Sequence, residues 1–223
     1  ASNSDKDFGW MQKHVEGFDV QLKNISDQVG EVAIQGPNSQ AILQKLTDTD
    51  LSTIPYYTFN DQVMVDGKPT MVSRTGYTGE DGFEVYASAE DIGEIWDALL
   101  EAGKDQGLKP AGLGCRDTLR FEASMPLYGN EISDEFSPLE SGLKFAIKLD
   151  KEADFIGKEA LNKIWADGLK RKVVGFELLG KGVPRHGYDV VKDDKVIGFV
   201  STGYLAPTVG KAIGNAIIDI DQT

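Results

Sequence analysis

The chain has 223 residues, of which 40% are hydrophobic and 26% charged, and its formal net charge is −13 at pH 7. This composition predicts a globular protein with one large or two small cores. The acidity disfavours nucleic-acid binding, because an acidic surface repels phosphates. No apolar run approaches the roughly 18 residues of a membrane span, so we expect no membrane partner.

Cysteine and histidine are too scarce for several kinds of site. Cys115 is the only cysteine, which excludes an internal disulfide and favours a cytoplasmic location. His14 and His186 are the only histidines, so a zinc or iron site lacks ligands and we predict no bound metal. The sequence opens with Ala1 rather than methionine, and we expect further residues to precede it in the parent protein.

Hydrophobic patterns in the first half predict a mixture of short helices and strands. Asp66 and Gly67 form a turn signal of the kind that joins hairpin strands. Gly36 and Pro37 are typical of a helix start. In chain order, the predicted elements are a helix over 5–14, strands over 18–22 and 32–34, a helix after residue 37, a hairpin of strands 62–65 and 70–73, and a strand over 83–86.

Two longer helices follow. Ser88 is predicted to cap the first helix, with Asp91 completing a partial capping box three residues later. The second helix is predicted over residues 113–123. Apolar residues at helical spacing predict a buried stripe on the first helix. They are Ile92, Ile95, Trp96, Leu99 and Leu100.

The last third of the chain changes to strand patterns. The polar stretch 163–172 is interpreted as the junction before this region. Helices and strands mix without strict alternation, so we predict an α+β fold that ends in a partial antiparallel β-barrel domain. Alternating apolar residues predict four strands in that domain, which lie near 174–178, 188–191, 196–200 and 212–218.

The first segment that can carry chemistry is RTGYTGEDGFE, residues 74–84. Gly76, Gly79 and Gly82 recur every three residues, which predicts a tight loop whose backbone approaches another group closely. Glu84 opens the next strand, where a carboxylate is held rigidly and can bind a ligand. The alternative is a hairpin connection with solvated acids, and from the residues alone that alternative is the more common structure.

The second segment is GLGCRDTLRFE, residues 112–122. It is not a dinucleotide fingerprint, because Asp117 stands in place of the third glycine. The Arg116 guanidinium can present a bidentate fork to a carboxylate. Alternatively, Arg116 and Arg120 pair with acids of their own helix at i+4 spacing. We interpret Cys115 as a buried structural thiol rather than a reactive one.

The third segment is MPLYGNEI, residues 125–132. Tyr128 precedes a glycine and can stack on a flat ligand, although a core tyrosine beside a turn is the more common arrangement. Further along, a set of basic residues forms either a solvated surface or a dock for an acidic partner. They are Lys170, Arg171, Lys172, Lys181, Arg185 and Lys192.

Together these segments resemble the T-protein (aminomethyltransferase) family of the glycine cleavage system. The matching runs, in the family's order, are GYTGEDGFE, AGLGCRDTLRFEASMPLYGNE, DFIGKEAL and STGYLAPTVGKAIGNA, and the opening ASNSDKDFGWM is also similar. The resemblance implies three domains around one folate. It also implies an enzyme that takes an aminomethyl group from the lipoyl arm of the H-protein, releases ammonia and passes the one-carbon unit to tetrahydrofolate, its co-substrate.

The resemblance also assigns residues and domains. Glu84 matches the family's pterin-binding glutamate, Arg116 its substrate-binding arginine, and Tyr128 a position near the site. The family's catalytic aspartate falls upstream of Ala1, so we predict no catalytic residue in this chain. The chain is expected to be an internal fragment, inactive by itself and prone to self-association. The implied domains are 1–27, a remnant of the central folate-binding domain; 28–132, an α+β domain; 133–165, a return segment; and 166–223, a truncated C-terminal β-barrel domain.

Three alternatives stay open. A relative that supports RNA modification or iron–sulfur assembly is expected to carry a cysteine in the run FIGKE, residues 155–159, and none occurs there. The folate-binding half of a sarcosine or dimethylglycine demethylating enzyme shares many of these motifs. A non-catalytic folate-binding or scaffold module is the third alternative.

Overall fold

A computed structural model describes residues 3–222 of the chain. The helices and strands mix as an α+β fold requires, which confirms the predicted class. The helices are α1 (Ser4–Gln12), α2 (Ser39–Leu43), α3 (Ile92–Gly103), α4 (Leu113–Glu122) and α5 (Lys158–Asp167). The strands are β1 (Val29–Gln35), β2 (Phe59–Val65), β3 (Lys68–Ser73), β4 (Gly82–Ser88), β5 (Arg171–Glu177), β6 (Asp189–Lys192), β7 (Lys195–Leu205) and β8 (Ala212–Asp219).

The chain forms two compact units. The first unit consists of Ala1–Gly76 and Glu80–Pro110, and the second consists of Tyr77–Gly79 and Ala111–Thr223. The fourfold division at residues 27, 132 and 165 implied by the resemblance stays a prediction. No helix among residues 3–222 is long and apolar enough to cross a membrane.

The first unit is an antiparallel sheet with helices on one face. The strand order is β1-β4-β3-β2, and α2 and α3 contact β1 and β4. Inward-facing residues of β4, such as Phe83 and Val85, are fully buried, together with Ile95 and Leu99 of α3. The hairpin predicted from Asp66 and Gly67 is confirmed, because both residues adopt positive φ (49° and 73°) between β2 and β3.

Helix α3 differs in detail from the prediction. Ser88 Oγ accepts a hydrogen bond from the Asp91 backbone N–H at 3.1 Å, and the Ser88 hydroxyl donates to the Asp91 carboxylate at 2.7 Å. The helix itself begins at Ile92, so this pair forms the turn before it. Trp96 was predicted to be buried, but it is 39% exposed, because it lies at the edge of the apolar stripe.

The second unit contains a four-stranded antiparallel sheet in the order β5-β8-β7-β6. Strand β8 pairs with both β5 and β7, whereas β5 and β6 lie at the two ends of the sheet. The sheet is therefore open, which confirms the prediction of a partial barrel. Asp193 and Asp194 have positive φ (49° and 61°) and form the turn between β6 and β7.

Two local predictions are wrong. Residues 18–22 alternate like a strand but are exposed and pair with none of the eight described strands, because alternation alone supplies no hydrogen-bonding neighbour. Residues 163–172 were interpreted as a junction, but Lys163 to Asp167 form the second half of α5 and β5 begins at Arg171. The partly apolar face of α5, with Leu161 and Ile164 half-buried, accounts for its helical structure.

Candidate functional site

The glycine-rich segment is packed around one side chain of β1. Gln35 Nε2 donates to the Thr75 carbonyl at 3.0 Å. A Cβ at Gly76 would lie 1.9 Å from Gln35 Oε1, and one at Gly82 would lie 2.4 Å from Gln35 Cδ. Gly79, in the second unit, instead approaches Ala123, whose Cβ would lie 2.7 Å from an added Cβ. The predicted close approach is therefore confirmed for all three glycines, and the groups approached are side chains of the protein itself.

An ion pair joins the two ends of this loop within the first unit. Arg74 donates through Nε to Asp81 Oδ1 at 2.9 Å and through Nη2 to Asp81 Oδ2 at 2.7 Å, a bidentate pair. The hydrogen bonds from Arg74 hold the pKa of Asp81 below its usual value. Arg74 also lies over the ring of Phe83, 5.2 Å from its centroid. The start of β4 is thereby fixed against the end of β3.

Glu84 lies on the face of β4 that points away from α2 and α3. Its neighbours across the sheet are Ala33 and Ser73, and Glu84 is half-buried. Oε2 accepts one hydrogen bond from the Thr75 hydroxyl and a second from the Tyr86 hydroxyl at 3.3 Å. Since the Thr75 proton goes to Glu84, Ser73 Oγ donates to Thr75 Oγ1 at 2.6 Å.

These contacts leave the Glu84 carboxylate with one oxygen held and one available. Within residues 3–222, no hydrogen bond is donated to Oε1. A planar ligand edge with N–H donors fits such a carboxylate. Tyr86 is also affected by its surroundings. Burial, followed by the charges of Glu31 and Glu84, raises the pKa of Tyr86 to about 12.

Arg116 lies in the first turns of α4 and is exposed. Its guanidinium lies over the ring of Tyr77, 5.3 Å from the centroid, and no carboxylate of the described chain pairs with it. The alternative of an ion pair within the helix is therefore wrong for Arg116. Tyr77 in turn donates its hydroxyl to the Pro126 carbonyl, and burial raises the pKa of Tyr77. Tyr77 was not singled out in the sequence, because its contacts are not local.

Arg120 behaves differently from Arg116. It is fully buried and donates to Asp117 at 2.6 Å. Arg120 therefore pairs with an acid of its own helix, as the alternative predicted, but the acid lies three residues away rather than four. Arg120 also donates to Glu131 at 3.0 Å. Arg116 and Arg120 thus lie on the same helix in opposite environments, because Arg116 is exposed and Arg120 is buried.

Tyr128 lies in a tight turn between α4 and α5. The Asn130 and Glu131 backbone N–H groups both donate to the Leu127 carbonyl, and Gly129 has a positive φ of 95°. The Tyr128 side chain is 40% exposed, so the alternative of a core tyrosine is wrong. Glu84 belongs to the first unit, whereas Arg116 and Tyr128 both belong to the second.

Two other expectations have different outcomes. Cys115 was interpreted as a buried thiol, but it is exposed, because the first turn of α4 lies at the surface. Of the basic residues near β5, Arg171 pairs with Glu140 at 3.5 Å and lies over Phe136. The proposed dock for an acidic partner stays a prediction. Residues 3–222 contain no group of three side chains suited to a metal ion.

The sequence also matches known protein families along nearly its whole length. The family model described as the GCVT N-terminal domain matches residues 1–151, and the one described as the glycine cleavage T-protein C-terminal barrel domain matches residues 171–223. The chain belongs to the glycine cleavage T-protein family. The resemblance of its motifs to that family is therefore confirmed.

Several T-proteins are similar to this chain. An aminomethyltransferase from Alkaliphilus oremlandii is 58% identical over 99% of this chain and 60% of its own length. One from Clostridium botulinum strain Kyoto is 56% identical over 98% of this chain and 59% of its own length. A crystal structure of aminomethyltransferase T from Bartonella henselae has a TM-score of 0.87 at 25% identity, covering 98% of this chain and 59% of that one. This T-protein chain thus spans about three-fifths of the length of these relatives.

Proposed function

We propose that this chain is part of an aminomethyltransferase that moves the one-carbon unit from aminomethyl-lipoyl H-protein to tetrahydrofolate, with release of ammonia. Family membership and the names of the similar proteins support the reaction class. The observation that carries the folate part is the Glu84 carboxylate, half-buried on β4 with Oε2 held by two hydroxyls. A cytoplasmic location belongs to the same proposal.

Glu84 is assigned to the pterin ring of the folate. A pterin presents adjacent N–H donors along one flat edge, and an ionised carboxylate accepts two such hydrogen bonds. The hydroxyls of Thr75 and Tyr86 fix the orientation of the carboxylate. Preorganisation of this kind favours binding, because less side-chain freedom is lost when the ligand arrives.

Arg116 and Tyr128 are assigned to other parts of the ligands. The Arg116 guanidinium is exposed and supported by the Tyr77 ring, and its fork suits a carboxylate. The exposed ring of Tyr128 offers a stacking surface. We assign no catalytic residue to this chain, and we expect no turnover from the chain alone, because a partial constellation loses orders of magnitude in rate.

Calorimetric titration with 5-formyl-tetrahydrofolate tests the proposal. We expect saturable binding by the unsubstituted chain and a loss of about tenfold or more in affinity for Glu84→Ala. Glu90→Gln removes an exposed carboxylate elsewhere in the first unit and is the matched control. Binding that is unchanged in Glu84→Ala, or lost equally in the control, would contradict the assignment.

A further inference from the structure

A cluster of polar side chains, all buried except the half-buried Asp117, lies in the second unit, and we name it the Arg120 cluster. It consists of Asp117 and Arg120 of α4, Glu131, and Ser201 and Thr202 of β7. Arg120 is 0% exposed and Glu131 is 2% exposed. Burying an ion pair removes both charges from water, and the attraction between them often does no more than offset that free-energy cost. A buried ion pair is therefore weak evidence that its role is only to stabilise the fold.

Four of the five N–H donors of the Arg120 guanidinium have acceptors, which come from three parts of the second unit. Nε donates to Asp117 at 2.6 Å. Nη1 donates to Glu131 at 3.0 Å and to the Met125 carbonyl at 3.1 Å. Nη2 donates to Thr202 Oγ1 at 3.2 Å. The guanidinium therefore joins α4, the segment after it and β7 at fixed angles.

The turn that carries Tyr128 is anchored on both sides of that residue. Before it, the Leu127 N–H donates to Glu131 Oε2 at 3.1 Å. After it, Asn130 Nδ2 donates to the Ser201 carbonyl and to Thr202 Oγ1, both at 2.9 Å. Ser201 and Thr202 donate their hydroxyls to Glu131 Oε1 at 2.7 and 2.6 Å. The residues on both sides of Tyr128 are consequently held from β7, directly through Asn130 and indirectly through Glu131.

The helix that carries Arg116 is anchored to the same strand. The next residue, Asp117, accepts from Arg120 through Oδ1 and from the Tyr204 hydroxyl of β7 through Oδ2. The Arg116 guanidinium is then supported by Tyr77, whose hydroxyl donates to a carbonyl of the segment before the Tyr128 turn. The positions of Arg116 and Tyr128 thus both depend on the Arg120 cluster.

We propose that Thr202 is a positioning residue that sets Arg116 and Tyr128 for the ligand. Its single hydroxyl accepts from Arg120 and Asn130 and donates to Glu131, so one atom of the strand contacts both the helix and the turn. The inference rests on the proposed function. It adds that a buried residue of β7 governs affinity for a folate.

Thr202→Val and Thr202→Ser form a matched pair for the test. Valine has nearly the shape of threonine without the hydroxyl, whereas serine keeps it. Hydrogen exchange of the 127–132 backbone amides and calorimetric titration with 5-formyl-tetrahydrofolate are measured for both. For Thr202→Val we expect faster exchange in that segment and affinity lowered by about tenfold or more. For Thr202→Ser we expect both close to the unsubstituted chain.

Ile217→Val, a buried substitution in β8, controls for general destabilisation. It should lower the melting temperature without changing affinity. Unchanged exchange and affinity in Thr202→Val overturn the inference, as does an equal affinity loss in Ile217→Val. Absence of binding by the unsubstituted chain overturns the proposed function, and with it the role of Thr202 toward a ligand.

Discussion

Tyr86 and Glu84 lie two residues apart on one face of β4, and their contact predicts a pH dependence of stability. Burial and the charges of Glu31 and Glu84 raise the pKa of Tyr86 from 10.0 to about 12. The folded chain therefore holds this proton more tightly than the unfolded chain does. The resulting stabilisation is complete below pH 10 and is lost as the pH rises towards 12.

Tyr86→Phe should remove this contribution. Between pH 9 and 11, the free energy of unfolding of the unsubstituted chain is expected to fall more steeply than that of the variant, as measured by urea denaturation. Tyr188→Phe is the control, because Tyr188 is 59% exposed. Equal slopes for all three proteins would contradict the prediction.

The candidate residues also show what single residues in a sequence can and cannot indicate. Glu84 could be selected because it follows a glycine-rich loop and lies near the start of a strand, both of which are local features. Arg116 and Arg120 share one helix, and their spacing does not tell which is exposed. The burial of Arg120 is decided by Glu131 and by Thr202, 82 residues away, and no local pattern contains that information.

At the scale of elements, the core of the first unit depends on the apolar stripe of α3. Leu99→Ala should destabilise the chain by about 2–5 kcal/mol, because Leu99 is 3% exposed and its truncation leaves a cavity. Trp96→Ala should cost no more than about 1 kcal/mol, because that ring is 39% exposed. Urea denaturation of the two variants measures the difference, and similar losses for both would contradict it.

Elements with strong local chemistry were predicted, and those that depend on neighbours were not. The β2–β3 hairpin was found from Asp66 and Gly67, since their positive φ values are intrinsic to the turn. Residues 18–22 have the alternation of a strand but no partner. Helix α5 was not predicted, because most of its residues are polar and its apolar face is narrow.

For the whole molecule, the net charge and an open sheet edge have opposite effects on self-association. Strand β2 lies at one end of the first sheet, and β3 is its only partner among the described strands. Its side chains Phe59 and Met64 are 62% and 50% exposed. An edge of this kind favours pairing with a second copy. The net charge of −13 opposes that pairing through repulsion between copies.

Self-association of the chain should therefore depend on conditions that reduce this repulsion. At low salt and pH 7 we expect monomers in sedimentation velocity. Dimers or larger species should appear at 1 M salt, where the screening length is about 3 Å, and as the pH approaches the isoelectric point of about 4.6. Met64→Lys adds a charge to the exposed side of β2 and should reduce the association at high salt, whereas the exposed Leu179→Lys should not. A monomer at every salt concentration would show that β2 is protected. An equal effect of the two lysines would assign the change to net charge alone.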